Sequence, residues 1–200
     1  MATVPHNTLT TTDLHEPKGA AGASEGMVYV ADGAGSGTWT LTYSGWGNYA
    51  DDATAQTFNT TPAKLSIDGA GSTTEESYLP LAIRGSGSLW DNINDKITPI
   101  AVGDAYEIRV DLPITSITTA TYLEFDLDIG GLSSPSNVIA SENKALDRSG
   151  APFTISLSMT LFSLGTFKDN GCQIFLNVDA GSIEVTKPSI VITRVHGEVT

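Results

Sequence analysis

The chain has 200 residues and carries 23 acidic against 10 basic side chains, a formal net charge of -13, which argues against nucleic acid as a partner because every phosphate contact needs a cation. Its length suits one substantial domain with an appendage, and 40 % apolar with only 16 % charged residues, in a background rich in Thr, Ser and Gly, favours strands and turns over long helices. Cys172 is the one cysteine, so neither an intrachain disulfide nor a thiolate zinc cluster can be built.

The first residues have no basic start and no apolar h-region, and no run of about 18 apolar residues follows anywhere, so neither a secretory route nor a membrane partner is expected. Without such a route the sequon at Asn59 carries no meaning. Residues 1–25 hold few large apolar side chains and cannot offset their own chain entropy. They read as an arm that is disordered alone and ordered by docking, with Val4, Leu9 and Leu14 as its apolar contacts. Residues 27–31 and 38–43 then form two β-rich runs around the turn Asp32-Gly33-Ala34-Gly35-Ser36-Gly37, the pattern of a β-hairpin. On the second run Trp39, Leu41 and Tyr43 alternate with Thr38, Thr40 and Thr42, so one face is apolar and needs a partner surface. Val28, Tyr29 and Val30 of the first run complete the candidate attachment set.

Residues 44–200 read as the body. After the loop-like segment 44–49 come short strand candidates at 63–67, 79–83, 105–112, 122–129, 153–162, 173–178, 182–185 and 189–195, punctuated by Gly, Pro, Asn and Asp. Eight such strands predict an all-β fold, a jelly-roll β-sandwich carrying an N-terminal extended arm and hairpin (residues 1–43). Alternation is cleanest over 153–161, where odd residues are apolar and even ones are Ser or Thr. Residues 91–97 are the best place for a short helix, ended by Pro99. The pair Asn170-Gly171 predicts a tight turn joining two antiparallel strands.

Candidate chemistry is sparse. The histidines, His6, His15 and His196, show no paired ligand or triad spacing. Gly33, Gly35 and Gly37 lack the Lys and Ser/Thr that complete a phosphate loop. Glu124, Asp126 and Asp128 share one strand face opposite Leu123, Phe125, Leu127 and Ile129, and Glu107, Arg109 and Asp111 share another. If those strands are neighbours, Arg109 faces the acidic stripe. A carboxylate pair cutting a glycosidic bond and a calcium site at Asp126, Asp128 and the turn Gly130-Gly131 rank below that structural reading. Trp39, Trp46, Tyr49 and Trp90 are the aromatics available for a carbohydrate-binding face, and Trp46, Tyr49 and Trp90 of the body form the candidate set. No metal, cofactor or catalytic residue is expected.

Two stretches carry a resemblance. Asp13-Leu14-His15-Glu16-Pro17-Lys18-Gly19 with Gly26-Met27-Val28-Tyr29-Val30-Ala31-Asp32-Gly33 and Gly35-Ser36-Gly37-Thr38-Trp39 resembles an N-terminal module of tailed-phage and marine-virus structural proteins. Leu89-Trp90-Asp91-Asn92, Ile97-Thr98-Pro99, Val102-Gly103-Asp104, Leu127-Asp128-Ile129-Gly130-Gly131, residues 170–175 and residues 190–194 are similar to the jelly-roll body of phage head-decoration, head-fibre and tail-fibre proteins. The resemblance implies a non-enzymatic virion component, usually a homotrimer, assembled in the host cytoplasm. The expected role is a capsid decoration or cement protein that binds the major capsid protein lattice through its arm. The alternative is a tail- or head-fibre protein binding a host receptor or surface glycan.

Overall fold

The computed structural model describes residues 22–23, 27–31, 34, 37–41, 44–53, 55–79, 88–146 and 152–196. Val4, Leu9, Leu14, His6 and His15 lie outside these residues. The chain divides into two compact units, Met1–Thr42 and Tyr43–Thr200.

In the first unit β1 (Met27–Ala31) and β2 (Gly37–Leu41) form the antiparallel ribbon expected from their alternation, with Tyr29 opposite Trp39. The two rings meet edge-on, centroids 5.5 Å apart. Such a cross-strand aromatic pair adds to the stability of a ribbon that is marginal in water by itself.

The second unit is a sandwich of two antiparallel sheets. The long strand β8 (Ala105–Ile117) organises the first: β11 (Phe153–Phe162) runs along one edge, while β14 (Ser189–His196) and β13 (Ile183–Val185) share the other. Beyond them pair β3 (Gly45–Ala50) and β4 (Gln56–Phe58) respectively. In the second sheet β9 (Tyr122–Asp128) lies between β10 (Val138–Ala145) and β12 (Cys172–Val178). The other edge of β12 meets β5 (Ala63–Lys64) and β7 (Lys96–Ile97), and β7 pairs β6 (Trp90–Asp91). Among the described residues no helix is long and apolar enough to cross a membrane.

Period two explains the core. Tyr106, Ile108, Val110, Leu112 and Ile114 of β8 point inward, register with Ile155, Leu157 and Leu161 of β11, and meet Leu123, Phe125 and Leu127 of β9 in one buried cluster. The intervening Glu107, Arg109, Ser156, Ser158 and Thr160 stay at the surface.

Several local expectations are corrected. Residues 91–97 form no helix: the Asp91 carboxylate accepts the N–H groups of Ile93 and Asn94, closing a turn that joins β6 to β7. This Asx capping competes with helix formation, as Asp and Asn often do. Asn170-Gly171 is not a strand-to-strand turn either. The short helix α1 (Gly165–Asn170) carries the chain from β11 in one sheet to β12 in the other and stops at Gly171, whose φ is +78°. A Cβ there would lie 2.7 Å from the Ile97 carbonyl oxygen, so the position demands glycine. Of the segment expected as loop, 44–49, all but Ser44 lies in strand β3. Of the strand expected at 79–83, Leu79 is buried in a turn and the rest lies outside the described residues.

An ion pair locks the C-terminal end of β14. Arg194 Nη2 donates to Asp104 Oδ1 at 2.5 Å with both side chains buried, and Asp104 Oδ2 accepts the Tyr106 hydroxyl (2.6 Å) and the Ala101 N–H (2.9 Å). Burial opposes ionisation of Asp104, but these donors outweigh it and hold its carboxyl below the usual range. Exposed Asp179 is held at about 2 by the Thr121 hydroxyl and the N–H groups of Tyr122 and Thr121. Both folded values lie below the ordinary one, so their stabilisation is present above it and is lost as pH falls through the depressed values. Melting followed by circular dichroism should therefore hold level down to about pH 4 and decline below it, with a shallower decline in Asp179→Asn.

Candidate functional site

The outward side of the first sheet carries a surface site of interest. Register places Trp46 beside Thr193 and Glu107, Asn48 beside Val191 and Arg109, and Ala50 beside Ser189 and Asp111. Asn48 also pairs through its main chain with Glu75 (2.9 and 2.8 Å), and its side-chain amide donates to the Thr73 carbonyl at 2.6 Å. The segment around Thr73 and Glu75 thereby forms a wall outside β3. The result is an open groove of about 520 Å³ lined by Trp46, Asn48, Thr73, Glu75, Arg109, Ser189 and Val191.

Two features hold the groove's side chains in place. Tyr78 stacks on Trp46, centroids 4.7 Å apart and planes within 14°. Arg109 presents Nε and Nη2 to Asp111 Oδ2, each at 3.1 Å, and Asp111 Oδ1 accepts the Ser156 hydroxyl at 2.5 Å. Chemically this is an aromatic surface flanked by planar hydrogen-bonding groups. Its groups can donate and accept hydrogen bonds beside an apolar ring.

No family model matches the chain, and no curated protein matches it. Among solved structures it is similar to the PRD1 vertex protein P5, with a TM-score of 0.52 and 15 % identity over 87 % of this chain and 84 % of that one. Weaker likenesses are to Eiger TNF from S. frugiperda (TM-score 0.46, 7 % identity, 80 % of this chain and 97 % of that one) and to VP2 of the infectious bursal disease virus subviral particle (0.37, 8 %, 82 % and 36 %). The body is a jelly-roll β-sandwich. The likeness at this identity speaks of fold alone.

Of the three aromatics picked from the sequence, only Trp46 reaches the surface of this jelly roll, at 36 % exposure. Tyr49 is buried on the opposite face of β3, donating its hydroxyl to Glu76 Oε1 (2.6 Å) and accepting the Leu89 N–H (3.0 Å). Trp90 is buried as well, its indole N–H on the Ile67 carbonyl at 2.8 Å. Neither can offer a ring face to a glycan. The groove residues Asn48, Glu75 and Arg109, and the Tyr78 ring stacked on Trp46, escaped the sequence reading as a set, although Arg109 was legible as an outward residue of β8.

Of the striped carboxylates, Asp128 and Glu124 take structural hydrogen bonds. Arg109 does not face the acidic stripe, because β8 and β9 belong to different sheets and Arg109 lies between Val191 and Ser158. Asp128 is fully buried and takes the N–H groups of Gly130 (2.8 Å), Ser136 (2.7 Å) and Asn137 (2.5 Å), so both of its oxygens are committed to the loop after β9. Glu124 accepts the Asn177 amide at 2.8 Å. No group of three metal-ligating side chains assembles among the described residues. Burial pushes the Cys172 thiol up, away from the thiolate a nucleophile requires. His196 is exposed at the end of β14. Within the ribbon Tyr29 is half-buried against Trp39.

Proposed function

We propose that this chain is a structural component of a virus particle, a decoration or cement protein whose N-terminal arm and ribbon bind the major capsid protein lattice while the jelly-roll body projects. The observation that carries the reading is the likeness of the body to a vertex protein of PRD1 over most of both chains. The organisation of the chain supports it, since a separate leading unit precedes a body that buries one continuous core of its own. Val4, Leu9, Leu14, Val28, Tyr29 and Val30 are the proposed contact residues, adding backbone hydrogen bonds by strand addition. Assembly as a homotrimer would give three arms per unit, and their linkage raises avidity by about 10²–10⁴ over a single contact. No catalytic step, cofactor or metal belongs to this role. A second reading, a head- or tail-fibre protein that contacts its host, is favoured by the exposed Trp46–Tyr78 stack.

Deleting residues 1–25 tests the first reading. The truncated protein should keep its strand spectrum and oligomer mass by light scattering, yet fail to co-sediment with undecorated capsids. Full occupancy by the truncated protein would remove the arm from the attachment role.

A further inference from the structure

We propose that the groove beside Trp46 is a binding site for a neutral saccharide, stacked by its C–H face on the indole and hydrogen-bonded by its hydroxyls to Asn48, Glu75 and Arg109. The inference rests on the second reading's aromatic stack and is independent of particle attachment.

Three observations lead there. The first is the aromatic platform: Trp46 is partly exposed and lines the groove, while Tyr78, stacked upon it, does not. That stack holds the indole plane before any ligand arrives, which lowers the entropy lost on binding. A pyranose ring has an apolar C–H side that covers such a plane, and a rim of hydroxyls that each both donate and accept.

The second is the set of partners for those hydroxyls. An amide, a carboxylate and a guanidinium line the same groove as the indole, and together they offer donors and acceptors. Asn48 is held by its main-chain bridge to Glu75 and by its amide on Thr73, and Arg109 by its two-point contact with Asp111. Val191 supplies the apolar floor between them.

The third is charge. Arg109 is the one cation among the residues lining the groove and is already engaged by Asp111, and the whole chain carries -13. A sulfated, sialylated or uronic sugar meets net repulsion here, whereas a neutral one does not. The groove volume, about 520 Å³, falls among those typical of small-ligand sites.

The full chain should be applied to an array bearing neutral oligosaccharides alongside sialylated and uronate-containing ones, and the strongest neutral hit titrated by tryptophan fluorescence. Retention of neutral glycans is expected, with affinity that changes little between low and high salt. Trp46→Ala and Arg109→Ala should each weaken it about tenfold or more while melting as the parent does, and Trp46→Phe should retain part of the binding. Trp46→Ala protein should still co-sediment with capsids, so a failure here and a failure of the attachment reading are separate results. The proposal is overturned if no glycan is retained, if only acidic glycans are, or if Trp46→Ala binds like the parent. A change of oligomer mass on Trp46→Ala would also overturn it, by making this face a contact between copies.

Discussion

Replacing Arg194 with Met lowers the unfolding free energy by about 3–5 kcal/mol, the range for removing one member of a buried ion pair. The reason lies in what remains. Asp104 is fully buried, and without the guanidinium at 2.5 Å it keeps only the Tyr106 hydroxyl and the Ala101 N–H. Those two donors cannot replace a full positive charge, so the carboxylate either stays ionised at high cost or takes up a proton. The replacement should therefore raise the Asp104 pKa and move the acid-induced decline toward neutral pH. Arg194→Met combined with Asp104→Asn should recover part of the loss, since the uncompensated charge is gone while a side-chain amide can still hydrogen-bond. Urea unfolding at neutral pH measures both, and a loss below about 1 kcal/mol for the single variant would show the pair to be worth no more than a surface bridge.

Truncating Trp90 to Ala costs about 3–5 kcal/mol, the usual penalty for emptying a large aromatic site in a core. Trp90 is 2 % exposed, and its indole N–H is the donor for the Ile67 carbonyl, so the variant leaves both a cavity and a main-chain acceptor without its partner. Trp46→Ala, by contrast, removes a ring from the sheet's outer face and should stay within about 0.5 kcal/mol of the parent. Chemical denaturation of the two variants side by side distinguishes the packing tryptophan from the one in the groove. Equal losses would mean that Trp46 is a core residue, and the saccharide site would then have no platform.

Strand positions were legible where alternation ran long. Residues 153–161 and 105–112 lie within β11 and β8 with the inward and outward sides expected, because a strand's two faces follow directly from its backbone period. Strand β3 was hidden by Gly45 and Gly47, which read as loop. Gly47 is there for a packing reason: a Cβ would lie 2.7 Å from the Tyr49 hydroxyl, whose side chain passes over it. The two-residue strands β6 and β7 are too short to display any period. Their intervening turn, with Asp95 at φ +50°, imitated a helix only through its mixture of polar and apolar residues.

The groove shows the same division. The sequence offered Trp46 only alongside Tyr49 and Trp90, which the fold buries, and Asn48, Glu75, Arg109 and Val191 come from segments with nothing local to connect them as a site. What this sequence determined by itself is which side chains face inward along each long strand, and so an all-β body with one core. Strand order and register were decided only by the folded chain: β8 takes β11 on one edge with β14 and β13 on the other, and Arg109 ends beside Val191 instead of Asp126. Facing direction is a property of a few consecutive residues, whereas a strand's neighbours depend on how distant segments share one buried interior.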